Sequence, residues 1–461
     1  MARSLKGQGH NHNKTDAMNL ADILIRSAAT HPTEIAVHGI TDFNCTYSAL
    51  LKRAQGLART FRTLDALEPG DRILTLLENR SETIELYFAA WLAGLVIVPL
   101  DATASAGRIR DIVRDCQPAL AVVSHRSSDA FDPFRTGPAV LNVDEPAYSK
   151  RIHAGSWTVT QCEPGSLAWL QYSTDDAEPV LGVMHSHQSL LSLVNRFQAQ
   201  VKKVRPGEAL FHSTSLAQGA GFYMLPFIAA GGYQLIPDGD RCDTVALGRL
   251  LERHLAVTIL ANNAMVERLV SAAEHWSDNA LAGVDSLIAC GQPLSCELTD
   301  RVHNRFGHRL LSLLGHPECP LGMAVLDLIQ HRFASYGDCR DRLTSAGLPM
   351  LGIDIRIQGD NGEALPAGAA GQICISGDTV ATGYWSDESN GAARFNQGWL
   401  MTGDIGYQDE TGFLYLTEPT REDLLLVPKE DAAPLRSRTT MLEDSHRAFS
   451  QTCMGLSVAS G

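Results

Sequence analysis

The chain has 461 residues, 44% of them hydrophobic and 20% charged, the make-up of a globular protein with room for two or three domains and a sizeable core. Its 38 Lys and Arg against 52 Asp and Glu leave a net charge of −14, with no basic run, which argues against a nucleic-acid or anionic-membrane partner and for small molecules. Ten scattered cysteines form no CxxC pair and no Cys/His cluster at zinc spacing, and no apolar run reaches membrane-spanning length, so a reducing, cytoplasmic setting without a membrane span is expected.

Residues 1–16 are polar and lack the apolar core of a signal peptide, which predicts a disordered leader; His10 and His12 lie in it. From residue 19, ADILIRSAATHP places its apolar residues on one helical face and stops at Pro32. A short strand, IAVHG, and a helix, CTYSALLKRAQGLARTF, follow. The segment GDRILTLLENRSETIELYFAAWLAGLVIVPLDA reads as strand, turn, apolar helix and strand, and ALAVVS at 119–124 continues the alternation. Alternation of this kind predicts a parallel, helix-covered sheet.

Residues 169–187, WLQYSTDDAEPVLGVMHSH, read as strand, loop, strand, with a small, acidic, proline-containing loop between two β-prone runs. Asp175, Asp176 and Glu178 crowd that loop. A solvated acidic turn is one reading; a carboxylate site suited to Mg²⁺ or Ca²⁺ is another. Beyond it, HQSLLSLVNRFQAQVKKV predicts a helix, and ALFHSTSLAQGAGFYMLPFIAAGGYQLIP leads through His212 into a Gly-rich apolar helix. Later, DIRIQG and QICISG, with a DNG turn after the first, predict an antiparallel, barrel-like subdomain over about 345–417. Residues 418–461 are polar and unpatterned apart from DLLLV and hold one lysine, Lys429, which predicts a disordered tail.

In order along residues 20–420, these segments resemble the AMP-forming acyl-adenylating superfamily: acyl-CoA synthetases, fatty acyl-AMP ligases and peptide-synthetase adenylation domains. The family's phosphate-gripping loop reads approximately YTSGTTGxPKGVxxSH. Tyr172, Gly182, Val183, Ser186 and His187 match it, and Ser173 and Thr174 match in kind. The region 345–417, with its ordered glycines, GYW, GW and TGD, follows the family almost step for step. The resemblance implies an α/β fold: the family's large N-terminal domain over 17–417, two helix-covered β-sheets plus a small β-barrel subdomain, and only a hinge remnant after 418.

What the resemblance implies for function is activation of a carboxylic acid, fatty or other acyl, as an acyl-adenylate. ATP and Mg²⁺ would be cofactors, and CoA or the phosphopantetheine arm of an acyl carrier protein the acceptor. Carried over position by position, Ser173 and Thr174 would meet phosphate, and Gly291, Gln292 and Gly315 would lie near adenine. Asp404 of TGD would accept from the ribose hydroxyls, Arg421 would be the hinge arginine, Glu318 would hold Mg²⁺, and His212 would gate the acyl pocket. For His212 a core histidine, for Glu318 a surface carboxylate and for Asp404 a turn aspartate remain the alternative readings. The sequence departs from the family where charge matters most: Asp175 and Glu178 replace loop glycines, Leu181 replaces the loop lysine, and Leu314 and Pro317 alter the YGxTE motif. At ~4 Å and an effective dielectric near 20, each carboxylate–phosphate contact costs on the order of 4 kcal/mol before screening. Impaired activation is therefore expected; the alternative is an inactive descendant that binds an acyl compound or a partner protein in a biosynthetic pathway.

Overall fold

A computed structural model describes residues 18–39, 44–128, 137–173, 175, 179–237, 242–334, 337–386 and 394–417. All lie within the compact unit Met1–Leu426. The leader, Thr174, Asp176, Glu178, Arg421, Lys429 and the tail lie outside the described residues.

The first sheet has seven strands, in the order Tyr384–Trp385, Gly182–Ser186, Leu167–Gln171, Val96–Asp101, Arg72–Leu77, Leu120–Val123 and Ala139–Asn142. From Leu167–Gln171 onward the neighbours are parallel, as the alternation predicts; the two strands at the other edge are antiparallel. Its central strands are buried along nearly their whole length and mostly apolar because both faces are covered. Ile73 and Ile97 face the cluster that holds Leu86 and Phe88 of helix Ser81–Leu92. Leu74, Leu76, Val98 and Leu100 face Ile109 and Ile112 of helix Ala106–Cys116 on the other side.

The second sheet has nine strands, ordered Leu348–Pro349, Cys319–Leu326, Leu310–His316, Val284–Cys290, Val257–Ala261, Ala209–His212, Tyr233–Ile236, Ile35–Gly39 and Asn44–Thr46. The opening strand Ile35–Gly39 thus leaves its chain neighbours and pairs in parallel with Tyr233–Ile236. Local pattern cannot reveal that exchange, because both sheets offer it the same apolar surroundings. Between the sheets runs helix Ala220–Ala229, buried along nearly its whole length, with the Phe222 ring 4.4 Å from that of Trp169 of the first sheet and tilted 32° to it. Gly221 lets this helix pass the loop before it: a Cβ there would fall 2.2 Å from the Leu216 carbonyl oxygen.

The third element is a curled antiparallel sheet of Ile353–Gln358, Gly371–Gly377, Trp399–Gln408 and Phe395–Asn396, with Leu414–Leu416 also paired to Trp399–Gln408. It realises the barrel-like sheet expected from the sequence. No helix among the described residues is long and apolar enough to cross a membrane.

Candidate active site

Parallel strands end where their carboxyl ends point, and ligands of open α/β sheets collect outside those ends. Here strands of both sheets end on one cavity of about 100 Å³. Gln171, Tyr172 and Ser173 follow from the first sheet; Ala261, Asn262, Cys290 and the turn 315–318 come from the second. Phe222 and Tyr223 of the buried helix form an aromatic wall, and Tyr384 and Arg394 close the cavity from the late part of the chain.

Ser173 lines this cavity, but its polar atoms are turned to the protein. Its Oγ accepts the Asp175 amide at 3.2 Å, and its carbonyl accepts Arg108 Nε at 2.8 Å. Arg108 Nη2 also donates to the Pro179 carbonyl at 3.1 Å, so one buried guanidinium grips both shoulders of the acidic loop. The Ser105 side chain caps the helix by accepting the Arg108 amide, which fixes Arg108 in the first turn. Arg108→Ala should cost about 3 kcal/mol, the order of two charge-assisted hydrogen bonds. It should also speed amide exchange across 173–179 in hydrogen-exchange mass spectrometry. Unchanged exchange there would mean that the loop holds itself.

At the loop's far end, Ser186 accepts from the Ser189 amide in a capping box and starts helix His187–Arg196. His187 Nδ1 accepts the Leu20 amide at 3.0 Å, and burial lowers its pKa to about 4. The family-matching Ser–His pair is thus occupied in shaping the strand-to-helix junction. Leu181, at the lysine position, lines the cavity and packs with Val183, Ala381 and Tyr384.

Glu318 is the centre of the polar end. It sits in the turn between strands Leu310–His316 and Cys319–Leu326 and is 3% exposed. Its Oε2 meets His316 Nδ1; its Oε1 accepts from the Tyr384 hydroxyl and, at 3.3 Å, from Arg394 Nη1. Burial alone would raise this carboxyl, but the His316 imidazole, the Tyr384 hydroxyl and the Arg394 guanidinium outweigh it and bring the pKa down to about 2. The turn is held in turn by the Ala381 amide on the Glu318 carbonyl at 2.7 Å, and by buried His185, whose Nε2 lies 3.0 Å from the Pro317 carbonyl oxygen.

Of the sequence-expected residues, Ser173, Gly315 and Glu318 line the cavity together. Gly291, with φ +105°, turns the chain directly after the cavity residue Cys290. Beside it, Gln292 Nε2 is buried with no partner among the described residues. Asp404 is buried on strand Trp399–Gln408, its amide on Thr402 Oγ1, and stands two residues from the Thr402 carbonyl that Arg394 reaches. His212 is fully buried outside the cavity lining, its Nε2 paired at 2.8 Å with Gln234 of the adjacent strand; burial lowers its pKa to about 4. Sequence reasoning did not single out Arg108 or Arg394. Tyr384 was visible as part of GYW, whereas an arginine gripping distant carbonyls leaves no local pattern.

Residues 24–385 match the family described as AMP-binding enzyme. A feruloyl-CoA synthase from an Amycolatopsis species is 25% identical over 89% of this chain and 80% of its own length. An anthranilate–CoA ligase from Pseudomonas aeruginosa PAO1 is 25% identical over 80% of this chain and 70% of its own. The crystal structure of VinN shares the fold with a TM-score of 0.78, at 22% identity, covering 87% of this chain and 99% of VinN. With a cavity at the strand ends of two sheets and a family match through most of its length, the chain belongs to the AMP-binding enzyme family, in which these relatives are acyl-CoA ligases.

Proposed function

We propose that this chain receives a carboxylic acid with an apolar or aromatic body in the cavity beneath Tyr223 and Phe222, and keeps a seat for AMP while handling Mg·ATP poorly. Membership of the family implies ATP, Mg²⁺ and CoA use in general. The observation that carries the narrower reading is Glu318. A carboxylate with three of its roughly four acceptor sites taken by His316, Tyr384 and Arg394 has little left to offer an incoming hard cation. Leu181 adds packing where a phosphate-binding cation would be needed. These residues therefore do not fit Mg²⁺ and a triphosphate. The AMP half fits better: the buried Gln292 Nε2, without a partner among the described residues, offers a donor to a base beside the turn at Gly291.

In this reading the chain is an adenylate-forming ligase of reduced activity, with CoA or a carrier-protein thiol as the natural acceptor. A second reading, an inactive descendant that holds an acyl compound or a partner protein, draws on the same Glu318 and Leu181. Calorimetric titration of the purified protein tests the first statement: AMP should bind, and Mg·ATP should not up to millimolar concentration. Micromolar Mg·ATP binding would sink the argument from Glu318 and the loop. Acid-dependent AMP release over a panel of carboxylic acids separates the two readings, since only the ligase produces it.

A further inference from the structure

The cavity needs a positive charge if its ligand is an anion, and the loop supplies none at Leu181. Among the described residues that line it, Arg394 alone carries a fixed positive charge. Its seat is built from three directions. Nη1 donates to Glu318 Oε1 at 3.3 Å and to the Tyr384 hydroxyl at 2.8 Å, and Nη2 donates to the Thr402 carbonyl at 3.1 Å. Room for the guanidinium is left by Gly403: its φ is +92°, and a Cβ on it would lie 3.2 Å from Arg394 Nη2. The Glu318 contact is the longest of the three that this carboxylate makes, because His316 and Tyr384 hold the same carboxylate more closely. Of the five N–H donors in this rigid fork, three are used among the described residues.

We propose that Arg394 is the oxyanion-reading side chain of this cavity, taking a carboxylate or phosphate oxygen of the ligand at the end opposite its apolar walls. The inference rests on the reading of the cavity as an acid-binding site and names the residue that discriminates charge there. Arg394 is held by groups that cannot follow a ligand out, so the fork is ready before the ligand arrives and little ordering is lost on binding. Its partner Glu318 offsets its charge when the cavity is empty. An anion draws on the donors that the described residues leave unused, without breaking the three existing bonds.

The test compares charged and neutral probes of one shape. Cinnamate against cinnamamide reports a carboxylate, and AMP against adenosine reports a phosphate, each titrated calorimetrically into wild type, Arg394→Gln and Arg394→Lys. Wild type should prefer the anion at least tenfold in one or both pairs. Arg394→Gln should lose that preference while binding the neutral probe unchanged, a pattern that mere loosening of the fold would not produce. Arg394→Lys, which keeps a point charge without the fork, should recover part of it. Loss in the cinnamate pair alone assigns the site to the acid, and loss in the AMP pair alone assigns it to the nucleotide. If wild type shows the preference and folded Arg394→Gln keeps it, Arg394 is not the reader, and the acid-binding reading stands. If wild type binds none of the four probes, both fail. Should Arg394→Gln not fold, an unchanged preference in Arg394→Lys overturns the proposal.

Discussion

Glu318→Ala is expected to destabilise the protein by about 3–5 kcal/mol, the cost of removing one member of a buried charge pair. The change removes the acceptor shared by Arg394 Nη1, the Tyr384 hydroxyl and His316 Nδ1, and leaves Arg394 Nη1 with the Tyr384 hydroxyl at 2.8 Å. Glu318→Gln, nearly the same shape, isolates the charge. The folded carboxyl titrates at about 2 against an ordinary 4.5, so the unfolded chain binds the proton first as pH falls. The stabilisation is therefore complete above about pH 4.5 and is lost between there and pH 2. By linkage it is about 3 kcal/mol. Urea unfolding of wild type and Glu318→Gln at pH 7, 5 and 3 should show a gap that is wide at 7 and narrows sharply at 3. A gap independent of pH would mean that Glu318 carries no charge in the folded state.

The second large effect concerns the acidic loop. Changing Asp175→Gly, Asp176→Thr and Glu178→Gly together should raise Mg·ATP affinity about 100-fold. Each carboxylate about 4 Å from a phosphate costs on the order of 4 kcal/mol at an effective dielectric of 20, and roughly 1 kcal/mol at an open site where the dielectric approaches that of water. Three such terms amount to about 3 kcal/mol, a factor near 100 in the dissociation constant. Adding Leu181→Lys should raise affinity further and lower the melting temperature, because an ammonium would enter the apolar contact of Val183, Ala381 and Tyr384. Unchanged affinity in the triple variant would remove the loop charges from the account of this site.

The layered sheets and the curled late sheet were legible because each element is long and periodic: the apolar run of Val96–Asp101 has only one comfortable place, between two covering layers. The seating of Ser173, Gly315 and Glu318 at the cavity was legible through a spaced motif. The state of Glu318 was not. The sequence allowed a metal ligand or a surface carboxylate, and the structure holds a buried one, closed by residues 66 and 76 positions further along the chain. Arg108 is similar: it lies 65 and 71 positions from the carbonyls it holds. Side chains that tie distant backbone together follow no period, and only the folded chain brings their partners into view.

The pairing of Tyr384–Trp385 with Gly182–Ser186 has a consequence for how the molecule comes into being. Tyr384 meets Val183, about two hundred residues earlier. At about 5–20 residues per second, a ribosome needs on the order of 10–40 s to deliver that partner. Throughout that interval the strand leaving the acidic loop is a bare sheet edge on a growing chain, open to pairing with a neighbouring nascent copy. Asp175, Asp176 and Glu178 stand just before that strand in sequence, and like charge beside an open edge disfavours pairing between copies.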